Sequence, residues 1–484
     1  MTVRDTLFID GEWRSPHSRV TIDVVSPSTE KVIGTVPDAD DSDVDSAVSA
    51  ASAAFGAGTW RGLPISERAR ILQLALQALE PKIADIADLV TAEMGLPTSI
   101  AHKKIPGALA AGRYFLDLAV NDTLTEVRQT MWGPAAVVKE PVGVVAAVAP
   151  WNGPFNMAVA KIFPALVTGC SVVYKPAPET PLDAYFIAEA LAAAGLPPGV
   201  FNLVTGGRAT GRSLVTHPKV NKVSFTGSTA AGRQIVSEAG PRFTRLQLEL
   251  GGKSAAIVLE DADVETTMRG IAMGSFANTG QVCSAFSRIV VPAAHRDKWI
   301  DAIVETAESF VVGDPFDPAT TMGPLVSANQ RDRVLDYVRI GTAEGAVVAT
   351  GGGAPEGDGI GYYVQPTVLI DTVNSMRVCQ EEIFGPVVTV LTHESVDEAI
   401  AIANDSNYGL HGGVFTSDPH AAAHVARSVH TGTFSVNSYT HNHNAPFGGV
   451  KDSGIGRELG REGIQSYYEI KTVNLTEDTE TLFA

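Results

Sequence analysis

The stretch "VGVVAAVAPWNGPFNMAVA", residues 142–160, has no charged side chain and is about as long as a membrane span. Its middle holds Pro150, Asn152, Gly153, Pro154 and Asn156. A helix facing lipid would break there and leave amides in hydrocarbon. The stretch therefore reads as a buried strand, a turn and a helix of a soluble protein. That reading decides the fold, because the same unit recurs down the chain. "SVVYKP", "FNLVTG" and "KVSFTG" are short apolar runs, separated by helical patterns near 155–169, 182–195, 208–216 and 229–239. Short buried strands alternating with helices specify a mostly parallel, doubly wound α/β sheet.

A second set of this kind follows "ELGGKSAAIVL". Strand-like "SAAIVL", "SRIVVP", "GAVVAT", "VVTVLT", "GGVFT" and "GTFSVN" alternate with helices near 262–276, 294–309, 326–343 and 396–404. The part before residue 120 reads as mostly helical, from apolar residues at three- and four-residue spacing in 44–55 and 67–95. Residues 121–141 read as two strands and "YYEIKTVNLTED" as another, a protruding sheet of the sort that joins subunits. "TGGGAPEGDGIG", 350–361, reads as a flexible turn.

A chain of 484 residues exceeds one hydrophobic core, so two or three domains are expected. With 36 basic against 54 acidic residues, the formal charge is −18. That balance argues against nucleic acid or an anionic membrane as the main partner. Cys170, Cys283 and Cys379 form no CxxC pair and fit a reducing, cytoplasmic setting. The first residues, "MTVRDTLFIDGEWR", lack the apolar core of a signal peptide.

Several motifs allow a dull reading beside a chemical one. Gly252, Lys253 and Ser254 imitate the end of a phosphate-binding loop, but Gln247 stands where that loop needs glycine. His420 and His424 lack the glutamate of a zinc-protease helix, and no metal is expected. "FTGSTAAG", 225–232, joins a strand to a helix, and Gly227, Ser228 and Gly232 either make a tight turn or admit a phosphate at a helix N-terminus. Lys175, in "YKPAPETP", is either a solvated lysine or a partner for a ribose hydroxyl or phosphate. Glu249 is a solvent-facing strand residue or a carboxylate held beside a site. Asn152 is a helix cap or a donor to a developing oxyanion. In "FANTGQVCSA", 276–285, Cys283 sits in a small polar turn, a setting unlike that of a packed thiol.

The order of Asn152, Glu249, Cys283, "EEIFGPV" (381–387) and "PFGGVKDSGIGRE" (446–458) resembles the NAD(P)-dependent, non-acylating aldehyde dehydrogenase superfamily over nearly the whole chain. The resemblance implies an α/β fold of two doubly wound Rossmann-like domains plus a small β oligomerisation arm. It places a cofactor-binding domain at 1–120 and 142–251, a catalytic domain at 252–450 and the arm at 121–141 and 467–484. It implies Cys283 as nucleophile, with the Asn152 amide and the Cys283 N–H as oxyanion donors. Glu249 would activate water, and Lys161 would assist proton relay. Trp151, Lys175, Glu179, Gly227, Ser228, Glu382 and Phe384 would meet the cofactor, and a homodimer or homotetramer is expected.

Two departures matter. Relatives often carry an acid three residues after the lysine, where this chain has Pro178, with Glu179 one place later. NAD is therefore the expected cofactor, with NADP left open. Gly153 and Ala160 stand where aromatics are common, which implies a wide entrance near Phe447 and the polar loop with His441, and apolar Phe155, Met157 and Phe276 deeper. A medium or large aliphatic, terpenoid or aromatic aldehyde is the expected substrate. The rivals are a coenzyme A-acylating semialdehyde dehydrogenase, which Glu249 disfavours; a cysteine thioesterase or amidase; and a non-catalytic nucleotide binder on the same fold.

Overall fold

Residues 142–160 divide into the strand Val144–Val148, a turn and the helix Pro154–Thr168. In the computed structural model, which describes residues 2–357, 359–476, 479 and 481, no helix among the described residues is long and apolar enough to cross a membrane. The strand is the centre of an eight-stranded sheet. Its order is Gly454–Ile455, Arg245–Glu249, Lys222–Thr226, Val144–Val148, Ser171–Lys175, Phe201–Leu203, Leu7–Ile9, Glu12–Arg14. The five strands from Arg245–Glu249 to Phe201–Leu203 are parallel. Their alternating side chains feed two cores. Val145, Ala147 and Val172 pack with Phe155 and Ile162, while Val144, Ala146, Val148 and Val173 pack with Val44, Val48 and Ala51. Both faces are covered by helices, which is why these strands are uninterrupted apolar runs.

The chain leaves Val144–Val148 in one direction and later returns to build on its other side. Crevices at such reversals, outside the carboxyl ends of the strands, are where open α/β sheets bind ligands. The second sheet has seven strands in the order Val347–Thr350, Thr367–Ile370, Val387–His393, Phe286–Pro292, Ser254–Val258, Gly412–Phe415, Ser435–Val436, all parallel except the first. A third, antiparallel sheet pairs Gly133–Pro141 with Thr125–Thr130 on one side and Tyr468–Asn474 on the other. Residues 477, 478, 480 and 482–484 of the expected arm lie outside the described residues.

Three expectations need correction. The region before residue 40 is not helical: it adds the short strands Leu7–Ile9 and Glu12–Arg14 to the first sheet and pairs Thr21–Val25 with Val32–Pro37. Strands of three residues show no readable period, and their partner is remote, Phe8 pairing with Leu203. Thr367–Ile370 and the helix Pro419–Ser428 were not anticipated. The helical pattern over 67–95 is two helices, Ile65–Leu79 and Ile83–Met94, broken around Pro81, which cannot donate to the helical ladder.

Candidate active site

At the reversal point three strand ends open onto one cavity of about 480 Å³. Val144–Val148 continues into Pro150, Trp151 and Asn152; Lys222–Thr226 into Gly227 and Ser228; Arg245–Glu249 into Leu250 and Gly251. From the second sheet come Cys283, Glu382 and Phe384. Trp151, Asn152, Gly227, Ser228, Cys283, Glu382 and Phe384, singled out from the sequence, thus line one cavity.

The turn carrying Cys283 is built by its polar neighbours. A short π-helical stretch, Ala272–Phe276, leads into three left-handed residues, Asn278 (φ 55°), Thr279 (φ 57°) and Gly280 (φ 68°). Each non-glycine residue held there costs about 1 kcal/mol or more, and surrounding bonds must secure it. The Asn278 amide donates to the carbonyls of Asn152 (3.0 Å) and Gln281 (3.2 Å). Thr279 donates to the Gly323 carbonyl (3.0 Å), and Gln281 Oε1 accepts from Val326 N–H (2.9 Å). Two glycines permit the close approach. A Cβ on Gly280 would lie 2.1 Å from the Gly385 oxygen, and one on Gly252 would lie 2.2 Å from the Cys283 oxygen. Asn152 Nδ2 donates to the Gln281 carbonyl at 2.9 Å, so one amide hydrogen is used in positioning and one is left.

Cys283 keeps part of its surface open. Burial pushes its thiol up, and the carboxylates of Glu382 and Glu249 push it further, so the sulfur is protonated at neutral pH in this arrangement. Glu382 accepts from Gly252 N–H (3.0 Å), and burial lifts it to about 7 against the pull of that bond, Arg333 and Lys253. Glu249 is 2% exposed, and both its carboxylate oxygens lack a partner among the described residues. Burial, then Glu458, raise it well above the usual carboxylate range, opposed by Lys161 and Arg457.

Behind Glu249, the fully buried Lys161 donates to Glu458 Oε1 (2.5 Å) and Ser224 Oγ (3.3 Å). Sequence reasoning missed Glu458, although it closes the quoted motif 446–458. A glutamate in a glycine-rich charged segment carries no signal by itself. Pairing of Leu248 with Ile455 and Glu249 with Gly454 lays this segment along the sheet edge. Gly448, at φ 151°, passes so close that a Cβ would lie 2.5 Å from Glu249 Oε1.

The remaining residues fall elsewhere. Lys175, 4% exposed, donates to the Pro176 carbonyl (2.9 Å), and burial lowers it to about 8 against the opposing charges of Glu179 and Asp38. Glu179 is partly buried beside it, and that burial raises its carboxyl. Gly232 serves packing, since a Cβ would lie 2.6 Å from Leu250 Cδ1. Phe155 belongs to the first core and Phe276 to another, against Phe310 at 5.5 Å, so neither lines the cavity holding Cys283. Met157 packs on the first core. His441 Nε2 lies 3.1 Å from both Ser284 Oγ and Tyr439 OH, and its ring stands edge-on to Phe447 at 5.3 Å. Phe447 pairs through its backbone with Glu458 (2.7 Å).

These elements suit a dinucleotide. Thr229 and Ala230 at the start of the helix Thr229–Ala239 face the cavity, a place for a diphosphate. A Cβ at Gly251 would collide with Glu382 Oε2 (2.5 Å), so that glycine leaves room for a carboxylate able to accept from ribose hydroxyls. Trp151 and Phe384, edge to face at 5.2 Å, offer apolar walls to a flat ring.

The aldehyde dehydrogenase family model matches residues 13–473. The chain belongs to the aldehyde dehydrogenase family. A geranial dehydrogenase of Castellaniella defragrans is 46% identical over 473 residues, which cover 97% of this chain and 98% of that protein. The crystal structure of a Mycobacterium tuberculosis aldehyde dehydrogenase complexed with NAD+ superposes with a TM-score of 0.96 at 43% identity, covering 98% of both chains. A cysteine-to-alanine mutant of aldehyde dehydrogenase C from Pseudomonas syringae, complexed with NAD+ and octanal, superposes with a TM-score of 0.94 at 38% identity, covering 97% of this chain and 96% of that one. Among aldehyde dehydrogenases, then, this chain shares both the sequence and the fold over nearly its full length.

Proposed function

We propose that this aldehyde dehydrogenase oxidises medium or large aldehydes (aliphatic, terpenoid or aromatic) to carboxylic acids, with NAD as the oxidant. One observation carries the reading: an accessible thiol, Cys283, has beside it a buried carboxylate, Glu249, with both oxygens free of partners. An unsatisfied buried carboxylate is costly, and it persists where it has a proton to take.

Cys283 loses its proton to Glu249 and its sulfur bonds to the aldehyde carbon, turning the carbonyl oxygen into an oxyanion. The free N–H of Asn152 and the N–H of Cys283 donate to that oxygen. Nicotinamide, when bound, supplies the acceptor for the hydride that leaves this carbon. Once Glu249 has passed its first proton to solvent, water opens the thioester left on Cys283 and gives a proton to Glu249; the C–S bond breaks, that proton returns to the Cys283 sulfur and the acid departs. Lys161 and Glu458 adjust the charge on Glu249 from behind. Trp151, Gly227, Ser228, Glu382 and Phe384 hold the diphosphate and nicotinamide half of the cofactor, and Lys175 with Glu179 the adenosine ribose. On this reading residues 1–120 and 142–251 bind the cofactor, 252–450 carry the catalytic cysteine, and the arm sheet, whose hairpin tip exposes Met131 (85%) and Trp132 (87%), joins subunits into a dimer or tetramer.

The substrate class follows from likeness to the geranial dehydrogenase and to the enzyme crystallised with octanal. Reduced-nicotinamide absorbance across a panel of chain lengths tests it. Geranial, octanal and benzaldehyde are expected to exceed acetaldehyde in kcat/KM, and turnover of only two- or three-carbon aldehydes would overturn the assignment. A requirement for coenzyme A would instead favour the acylating alternative.

A further inference from the structure

Pro178 leaves cofactor choice unexplained, and the structure offers a carboxylate from another part of the chain. The helix Arg208–Thr216 begins at Gly207, whose residue type provides no side-chain cap. Asp38, just past the strand Val32–Pro37, fills that role: Gly207 N–H donates to Asp38 Oδ1 at 2.9 Å, and Thr210 Oγ1 lies 3.3 Å from the same oxygen. The neighbouring backbone is clamped to the same turn. Thr205 Oγ1 donates to the Pro37 carbonyl (2.7 Å), Thr210 Oγ1 to the Ala39 carbonyl (2.7 Å), and Ala39 N–H to the Thr205 carbonyl (3.1 Å). An N–H at this helix N-terminus is therefore already held by a fixed anion, whose charge opposes a phosphate there.

That helical turn is also where Lys175 lies. A Cβ on Gly211 would be 3.5 Å from Lys175 Cε, and the ammonium feels both Glu179 and Asp38. Nearby cations are committed elsewhere: Arg208 donates to Gln234 (2.9 Å) and Arg212 to Glu238 (3.2 Å). The Lys175 ammonium thus faces two carboxylates, Glu179 and Asp38.

We infer that Asp38 is a specificity-determining residue: fixed on the first turn of Arg208–Thr216 beside Lys175, it makes the chain select NAD over NADP. The inference rests on the assignment of Lys175 to the adenosine ribose. A ribose 2′-hydroxyl needs only hydrogen bonds there, whereas a 2′-phosphate brings about two negative charges against two resident ones.

Binding of NAD and NADP to the unreacted protein, followed by quenching of tryptophan fluorescence, tests this without turnover. The native chain should bind NAD at least about tenfold more tightly than NADP. Asp38→Asn keeps an oxygen for Gly207 N–H, so the cap survives while the charge goes. It should tighten NADP about three- to tenfold and leave NAD within about twofold. Asp38→Ser, which also removes the charge, serves if Asp38→Asn proves unstable, and Glu179→Gln should act in the same direction. Equal affinity for the two cofactors in the native chain, or an unchanged ratio in the Asp38 variant while Lys175→Met weakens both cofactors, overturns the role of Asp38. If Lys175→Met weakens neither, the underlying assignment of Lys175 fails, and the inference with it.

Discussion

Cys170 and Cys283 are both thiols whose protonated form is favoured by burial, yet they occupy opposite kinds of site. Cys170 follows the helix Pro154–Thr168 and its left-handed cap Gly169, is fully buried, and its sulfur donates to the Tyr467 carbonyl at 3.5 Å with Thr168 Oγ1 at 3.6 Å. Cys283 stands at the end of a strained turn, open to a cavity, with Asn152 and Glu249 around it. The shift in acidity does not separate them. What separates them is access, and a neighbouring base with no other partner. A reactive cysteine is here a matter of surroundings that can change its protonation on demand.

The widest gap between the two should appear on removing sulfur. Cys283→Ala is expected to cut kcat/KM for aldehyde by about 10⁴-fold or more, the scale lost with a nucleophile, while Cys170→Ala keeps the native rate. An active Cys283→Ala protein would abolish the distinction. Next comes the base. Glu249→Gln should slow steady turnover by about 10²- to 10⁴-fold, with acyl groups accumulating on Cys283 in intact-protein mass spectra. Equal slowing with no adduct at any time would show that Glu249 does not serve thioester hydrolysis.

Asn152→Ala should lose about 10²-fold in kcat, because an oxyanion donor acts mainly in the transition state. A rise confined to KM would assign the amide to ground-state binding instead. The protonated thiol predicts a pH dependence. Its acidity is weaker than that of an ordinary cysteine, so in cofactor-free protein the thiolate fraction grows as pH rises. Alkylation of Cys283 by iodoacetamide should climb about tenfold per pH unit between about 7 and 9, while Cys170 stays unlabelled in the folded state. A plateau near neutral pH would mean a thiol already ionised. The smallest effect is on stability: Cys170→Ala should cost about 1 kcal/mol by denaturant unfolding, from lost packing in a full core.

Much of this was legible in the chain. The uncharged run 142–160, cut by Pro150 and Pro154, could only be strand, turn and helix, and its repeats implied parallel sheets. Cys283 announced itself because asparagine, threonine and glycine before a cysteine are turn formers, and the structure uses them for that purpose. Glu458, Asp38, Phe155 and Phe276 were not legible. The helix Pro154–Thr168 is buried on nearly every side, so no apolar stripe told whether Phe155 faces a cavity or a core. Glu458 and Asp38 act across gaps of 297 and 169 residues, to Lys161 and Gly207 respectively, and no local pattern records such a gap.

By itself, the sequence determined the alternation of buried strands and helices, the glycines that let backbone pass backbone, and the identity of thiol, carboxylate and amide, because those are properties of single residues and short periods. Only the tertiary structure decided that Glu249 has no partner among the described residues while Lys161 has two, that an aspartate near the N-terminus caps a helix beside Lys175, and that two expected pocket aromatics are core. Partnership and desolvation depend on distances between segments far apart in the chain, and those distances exist only once the sheets have packed.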